Sequence, residues 1–156
     1  MRFYNPKGWA SLSDADKAWA KKIGSGETAL IESVGTNNHK RARYLVENRN
    51  EYRLSPSEVR EALQLAIRGN SVESLKVMLV SCPAEWLIPN NRLSDALVVQ
   101  LFEAAGEVKS KEAWNALLAW NKNLDAHRIP AWAISRIASQ KKFDFALREI
   151  LDASAP

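Results

Sequence analysis

The spacing of apolar residues along this chain is that of amphipathic helices, and it predicts an all-α fold. No sustained alternation of apolar and polar residues is bounded by hairpin dipeptides, so we predict no β-sheet. The first helix is expected between Ser13 and Ile23, because acidic residues follow Ser13 and two lysines precede Ile23. The sequence Gly24-Ser25-Gly26 is expected to end this helix.

Two helix pairs are predicted in the first half of the chain. The first pair is expected at 28–34 and 38–47, with Gly35 at the break between its helices. The second pair begins at the clearest start signal, Ser55-Pro56-Ser57-Glu58, which combines a hydroxyl cap, a proline at the first helical position and a glutamate three residues after the cap. This signal predicts a helix over 56–68.

The partner of that helix is predicted to run to about Ser81. Gly69-Asn70 separates the two helices, and Ser71 is expected to cap the second one. Pro83 is expected to stop it, because proline disfavours helical geometry in the residue before it. The segment 83–93 is predicted to be a long apolar connection with room for one helical turn.

The second half of the chain carries signals of the same kind. Gly106 is expected to break one helix, Ser110 to cap the next, and 121–129 to form a loop. The helices of this half are predicted at about 94–105, 111–120, 130–139 and 143–152. Four helix pairs after a leading helix therefore account for the chain.

Two stretches of the first half resemble the ankyrin repeat family. Gly26-Glu27-Thr28-Ala29-Leu30 is similar to the G-x-T-P-L opening of that family, with alanine in place of proline. The run Ala62-Leu63-Gln64-Leu65-Ala66 resembles the A-L-H-L-A of its first helix, and 69–79 resembles its G-N-x-E-x-V-x-x-L-L continuation. The resemblance implies stacked units of about 33 residues, each with two antiparallel helices.

The resemblance implies one domain over 1–156, with 1–25 as an N-terminal capping segment and about four helix-pair repeats over 26–152. The sequence departs from the family pattern in two ways. An insertion around 83–93 lengthens one unit, and Ile31 and Gln64 occupy the positions of the family's histidine. A HEAT-like or irregular α-array is therefore the alternative. Stacking is expected to bury Leu30, Leu45, Leu63, Leu65, Ala66, Leu75, Met78 and Leu79.

Composition agrees with a single soluble domain. The chain has 156 residues, of which 46% are hydrophobic and 26% charged. No apolar run approaches the roughly 20 residues of a membrane span, and the N-terminus lacks the apolar region of a secretory signal. Cys82 is the only cysteine, and we expect it to be buried. These features predict a cytoplasmic, intracellular protein. Delivery into another cell by a route other than Sec stays open.

Catalytic and metal sites are not indicated by the residues. His39 and His127 lie far apart, and neither has the spacing of metal ligands. A hydrolase built on Cys82, His127 and Asp125 is the enzyme alternative, but no local signature supports it. We therefore predict no enzyme activity, no cofactor and no metal.

The expected function is the binding of another protein by a non-catalytic scaffold of the adaptor, inhibitor, immunity or effector type. The resemblance to ankyrin repeats implies that the concave surface made by the first helices meets the partner. On this alignment the surface displays Glu32, Arg60, Gln64, Arg68, Gln100, Glu103, Arg136 and Gln140.

The alternative is a nucleic-acid-binding helical repeat protein that uses a basic face. Residues 1–68 hold 12 Lys and Arg against 8 Asp and Glu, whereas 69–156 hold 10 of each, so the net charge of +4 belongs to the first half. The cations of this face, near His39, Tyr44 and Tyr52, are Lys40, Arg41, Arg43, Arg49 and Arg53. Charge and base stacking are the expected contacts, but Glu47 and Glu51 lie among the cations, so a solvated outer surface is favoured.

The six tryptophans are the other unusual feature. Trp114 and Trp132 fall at apolar positions of their helices and are predicted to lie in the core. Trp9 and Trp86 lie outside the helix pairs, where they could cap the stack or anchor a partner. Trp9 and Trp19 suit the task of covering the open face of the first unit.

Overall fold

The structure, a computed structural model, describes residues 6–87, 97–124, 129–141, 143–146 and 148. Within these residues the chain is helical and contains no strand, which confirms the all-α prediction. A short 3-10 helix covers Trp9–Ser11, and the α-helices are α1 (Asp14–Lys21), α2 (Gly26–Gly35), α3 (His39–Glu47), α4 (Pro56–Arg68), α5 (Val72–Ser81), α6 (Ala84–Leu87), α7 (Leu97–Glu107), α8 (Lys111–Lys122) and α9 (Ala131–Gln140).

Several helix starts follow from capping side chains that the sequence predicts. The Ser55 hydroxyl accepts a hydrogen bond from the Glu58 amide at 3.3 Å, and the Glu58 carboxylate accepts one from the Ser55 amide at 3.1 Å. This capping box satisfies two amides that a helix N-terminus leaves unpaired, and α4 begins and ends where we expect it to. Ser110 caps α8 as predicted, and Ser13 caps α1 in the same way.

The helices pack in two rows. In one row α2, α4, α7 and α9 contact one another in that order, and in the other row α3, α5 and α8 do the same. The helices of the pairs α2 and α3, α4 and α5, and α7 and α8 also contact each other. The core lies between the rows, where the large buried residues include Leu30, Leu45, Leu63, Leu75, Met78, Leu101, Phe102 and Trp114.

The same turn follows α2, α4 and α7. In each turn a backbone amide bonds to the carbonyl five residues earlier: Asn38 to Ser33 at 2.7 Å, Ser71 to Ala66 at 2.7 Å, and Ser110 to Ala105 at 3.0 Å. This bond is the signature of the Schellman motif, in which the residue before the donor takes a left-handed conformation. Asn37, Asn70 and Lys109 hold that position with φ of 51°, 56° and 56°.

A bond of the same kind also follows α9, the last helix of this row, where the Phe143 amide bonds to the Ala138 carbonyl at 2.8 Å. The accepting residues 33, 66, 105 and 138 are spaced by 33, 39 and 33 residues. The longer interval contains α6 and residues 88–96, which agrees with an insertion between the second and third helix pairs.

Side chains connect one turn to the next. Asn37 Oδ1 accepts hydrogen bonds from the Ser74 amide at 3.2 Å and the Ser74 hydroxyl at 3.1 Å. The Ser71 hydroxyl donates to the Val34 carbonyl at 2.7 Å. Ser71 holds the N-cap position of α5, as predicted, but its side chain makes no capping hydrogen bond, because its hydroxyl joins two helix pairs instead.

Gly106 lies inside α7, so the prediction that it breaks this helix is also wrong. The ring of Phe143 packs against the Gly106 backbone where a Cβ atom would overlap it. The glycine therefore permits a close approach between α7 and the segment after α9. Of the helix starts predicted in this half, those at 111, 130 and 143 lie among the described residues, whereas Ser94 and Asp95 lie outside them.

Two predicted core residues are exposed. Leu65 is 40% exposed and Trp132 62% exposed. Each lies two positions from a buried residue of its helix, Leu63 in α4 and Ile134 in α9, which turns its side chain to the opposite side. Trp114, in contrast, is fully buried, as predicted.

The segment before α2 packs against α3. The Asn48 side chain accepts a hydrogen bond from the Lys7 amide at 2.8 Å and donates one to the Lys7 carbonyl at 2.9 Å. The rings of Trp9 and Trp19 lie 6.3 and 6.2 Å from that of Tyr44. These contacts hold both aromatic side chains beside the first helix pair.

Candidate functional site

The eight residues predicted for protein binding lie on the side of the α2, α4, α7 and α9 row that faces away from the core. We call this surface the first-helix face. Three members are half-buried: Arg60, Gln64 and Glu103. The other five members are exposed: Glu32, Arg68, Gln100, Arg136 and Gln140.

Polar side chains connect neighbouring helices across the first-helix face. Gln64 Nε2 donates to Gln100 Oε1 at 3.3 Å. Arg68 and Glu107 form an ion pair at 3.9 Å, and so do Lys141 and Glu103. Exposed pairs of this length contribute about 0–1 kcal/mol, so a partner that supplies its own polar groups can replace them at small cost.

Arg60 differs from the rest of the predicted set. Its Nε donates to the Trp86 carbonyl at 2.9 Å, which ties α6 to α4. The Arg49 guanidinium lies 5.4 Å from the centroid of the Trp86 ring on the same segment. Arg60 and Arg49 therefore hold α6 in place, and the Arg60 Nε proton is already donated within the chain.

Two apolar residues of the first-helix face are absent from the predicted set. Leu65 lies between Gln64 and Arg68, and Trp132 lies one helical turn before Arg136. The signal for both is their position in the helix, since each is about 200° from a buried neighbour. Residue type alone favours the core and therefore misleads at these positions.

The predicted basic face is divided among several contacts. Arg41 Nε lies 2.7 Å from Asp16 Oδ1, and its guanidinium lies 4.8 Å from the Trp19 ring centroid. Arg43 pairs with Glu47 at 2.7 Å. These two cations therefore bind acidic groups of the same chain.

The remaining members of the basic face do not form one stacking surface. Arg49 Nη1 donates to the Val46 carbonyl at 3.0 Å, whereas Lys40 and Arg53 are exposed. The ring of Tyr44 is buried, and its hydroxyl lies 2.6 Å from that of Tyr52. Tyr44 therefore cannot supply the base stacking of the nucleic-acid alternative, because its ring belongs to the core.

Cys82 is buried, as predicted. Burial raises the pKa of its thiol from 9.0 to about 12, against the smaller opposing effects of the Arg49 and Arg60 guanidinium groups. The thiol is therefore protonated at neutral pH, the opposite of what a nucleophile needs. His127 and Asp125, its partners in the enzyme alternative, lie outside the described residues.

In the part of the chain that the structure describes, no group of three or more His, Cys, Asp or Glu side chains could hold a metal ion. None of the described helices has the length and apolar character that crossing a membrane requires.

Comparison with known proteins gives no match: no family model, no curated protein and no solved structure is significantly similar to this chain.

Proposed function

We propose that the chain is an ankyrin-like helical repeat array that binds another protein through the first-helix face and performs no chemistry. The exposure of Trp132 is the observation that carries this proposal. Tryptophan and arginine are enriched at binding hot spots, and Arg136 lies one turn from Trp132 on the same side of α9. An exposed indole beside a guanidinium offers a partner both apolar area and hydrogen-bond donors.

The packing of the helices supports the repeat part of the proposal. Helices α2, α4, α7 and α9 contact in chain order, and the turns that follow them share one backbone geometry. In repeat arrays this order creates an extended surface of equivalent positions, which is where such proteins bind their partners. Gln64, Glu103 and Arg136 are equivalent positions in the spacing of these turns.

The polar residues of the first-helix face support the binding part of the proposal. All of them keep some exposure to solvent, and the pairs that they form are weak. The basic face lacks comparable support, because Arg41, Arg43 and Arg49 are engaged within the chain. Nucleic-acid binding is therefore the less favoured function.

Site-specific photo-crosslinking in the native host tests the proposal. A photoreactive phenylalanine analogue placed at Gln100 or Arg136 should yield a discrete adduct with a partner, whereas the same analogue at Glu112, which is exposed on α8, should not. The double variant Trp132→Ala/Arg136→Glu should lose most of the adduct formed from Gln100, because hot-spot residues carry most of the binding energy.

Equal adducts from Glu112 and Gln100 would contradict the use of the first-helix face. The nucleic-acid alternative is tested separately with labelled DNA and RNA oligonucleotides. A phosphate-driven complex would lose affinity steeply as salt is raised, whereas we expect no complex even at low salt.

A further inference from the structure

Helix α5 is apolar on more sides than its core contacts require. Leu75, Met78 and Leu79 are buried, but Val77 is only half-buried and Val80 is 82% exposed. Among the large apolar side chains that the structure describes, Val80 has the greatest exposure. The outer surface of α5 therefore places Val77 and Val80 beside Glu73 and Lys76, which is an apolar patch rimmed by charged residues of the kind found at interaction sites.

A groove of about 440 Å³ runs between α5 and α8 on one side of Val80. Its walls are mostly apolar and come from the C-terminal halves of both helices and the turn after α8: Lys76, Leu79, Val80, Cys82, Ala116, Ala119, Trp120, Asn123 and Leu124. Lys76 is the only charged residue among them. The groove is large enough for apolar side chains of another protein, since ligand sites span roughly 300–1,000 Å³.

A second groove, of about 610 Å³, lies on the other side of Val80 and carries more charge. Its charged members are Lys7, Arg43, Lys76 and Glu47. Glu47 already pairs with Arg43 at 2.7 Å, and Lys76 has only a loose pair with Glu73 at 3.5 Å in which both side chains are more than half exposed. The groove therefore has an excess of positive charge, which favours an acidic partner.

We propose that the two grooves beside Val80, together the outer groove, form a docking site for an acidic amphipathic helix of a partner protein. The apolar face of that helix would lie against Val80, Leu79 and Trp120, with its large residues spaced at i, i+3, i+4 and i+7. Carboxylates along one edge would meet Lys76 and Lys7. The α5–α8 wall disfavours a nucleic acid, because its apolar side chains offer phosphates no hydrogen bonds.

The outer groove is independent of the first-helix face. It belongs to the row of α3, α5 and α8, whereas Trp132 and Arg136 belong to the other row. A scaffold with both surfaces can hold two partners at once. The inference therefore does not depend on the function proposed above.

A displayed library of random 16-residue peptides tests the docking site directly, because the selection itself supplies the ligand. Peptides are selected on the full chain, and the enriched peptides are then tested for binding to Val80→Asp. The enriched peptides should combine Leu, Ile or Phe at helical spacing with Asp or Glu. Val80→Asp should weaken a selected peptide about tenfold or more, because it places a charge in the apolar contact.

Two further variants assign the effect to charge and to position. Lys76→Glu should weaken the selected peptides about fivefold and reduce the salt dependence of binding. Val108→Asp is the matched control, since Val108 is 39% exposed in the turn between α7 and α8, and it should change affinity less than about twofold. Circular dichroism confirms that each variant is folded.

The proposal is overturned if no peptide depends on Val80, if the enriched peptides are basic, or if Val108→Asp weakens binding as much as Val80→Asp. Peptides whose binding is lost in Trp132→Ala/Arg136→Glu but kept in Val80→Asp would support the first-helix face alone and also count against the outer groove. These variants therefore test the outer groove and the first-helix face separately.

Discussion

Two junctions between helix pairs use the same backbone turn but different side-chain chemistry. Between the first two pairs, Asn37 binds Ser74 and Ser71 binds the Val34 carbonyl, so polar side chains make the connection. In the second half the connection is aromatic. The Trp114 ring lies 4.9, 6.3 and 6.1 Å from those of Phe102, Phe143 and Phe145, with edge-to-face geometry throughout.

This difference bears on why the sequence patterns of the two halves differ. Asn and Ser at a turn leave a recognisable local sequence, whereas an aromatic cluster can be built from many positions. Within the described residues Trp114 Nε1 is buried without a hydrogen-bond partner. The second junction therefore depends on packing, and it tolerates an unpaired donor whose cost is about 1–3 kcal/mol.

Trp114→Ala should have the largest effect, because it removes the centre of the aromatic junction. We expect a loss of about 3–5 kcal/mol in the free energy of unfolding measured by urea titration. Trp132→Ala is the matched control: the same substitution at an exposed position should cost less than about 0.5 kcal/mol. Similar losses in the two variants would contradict the contrast between buried and exposed tryptophans.

Gly26→Ala should have the next largest effect, and it acts in the first half. A Cβ atom at Gly26 would overlap the Tyr52 backbone carbonyl, which cannot move away as a side chain can. The expected loss is about 1–3 kcal/mol, visible as a lower thermal midpoint. Gly35→Ala, at the other end of α2, is the control, because no atom lies within 4 Å of its added Cβ. If the two variants melt together, the close approach at Gly26 is not required.

Asn37→Gly tests the polar junction without disturbing its turn. Glycine accepts the left-handed conformation, so only the hydrogen bonds to Ser74 are lost, and we expect a cost of about 1–2 kcal/mol in urea unfolding. Asn70→Gly is the comparison, since Asn70 accepts a single bond from Ser110 at 3.4 Å, beyond the usual range. A larger loss at Asn70 than at Asn37 would show that hydrogen bonds do not explain the first junction.

The effect expected for Cys82, at the end of α5, arises only in alkaline solution. Because burial raises the pKa of the thiol to about 12, the unfolded chain loses this proton first as the pH rises above 9. The stability that the neutral thiol contributes is therefore present below pH 9 and declines toward pH 12, by up to about 1.4 kcal/mol per pH unit.

Unfolding titrations of the chain and of Cys82→Ala between pH 8 and about 10 measure this decline. The substituted protein should lose stability less steeply, since its remaining pH dependence comes from other groups. Parallel curves for the two proteins would mean that the thiol is as accessible to solvent in the folded state as in the unfolded chain.

Local sequence signals were sufficient where one residue acts on its own helix. The Ser55 capping box and Pro56 place the start of α4, and the Gly69-Asn70 turn places its end. They were insufficient where a side chain serves another helix. Nothing near Ser71 encodes Val34 as its partner, and nothing near Gly106 encodes the Phe143 ring.

The same distinction between local and long-range contacts holds for the candidate site. Solvent access of the polar residues of the first-helix face follows from helical periodicity, so Arg68, Gln100 and Gln140 could be predicted to be exposed. The partner of Arg41 is Asp16 in α1, and that of Arg60 is the Trp86 carbonyl in α6. Such contacts depend on where segments distant in sequence come to lie, which periodicity does not reveal.

The recurring turn also has a consequence for protein engineering. Its left-handed position holds asparagine after α2 and α4 but Lys109 after α7. Lysine accepts this backbone conformation less readily than asparagine, so the third turn stores strain that the first two avoid. Asparagine, which the first two turns share, is therefore the consensus residue for this position, and placing it at Lys109 should stabilise the third turn.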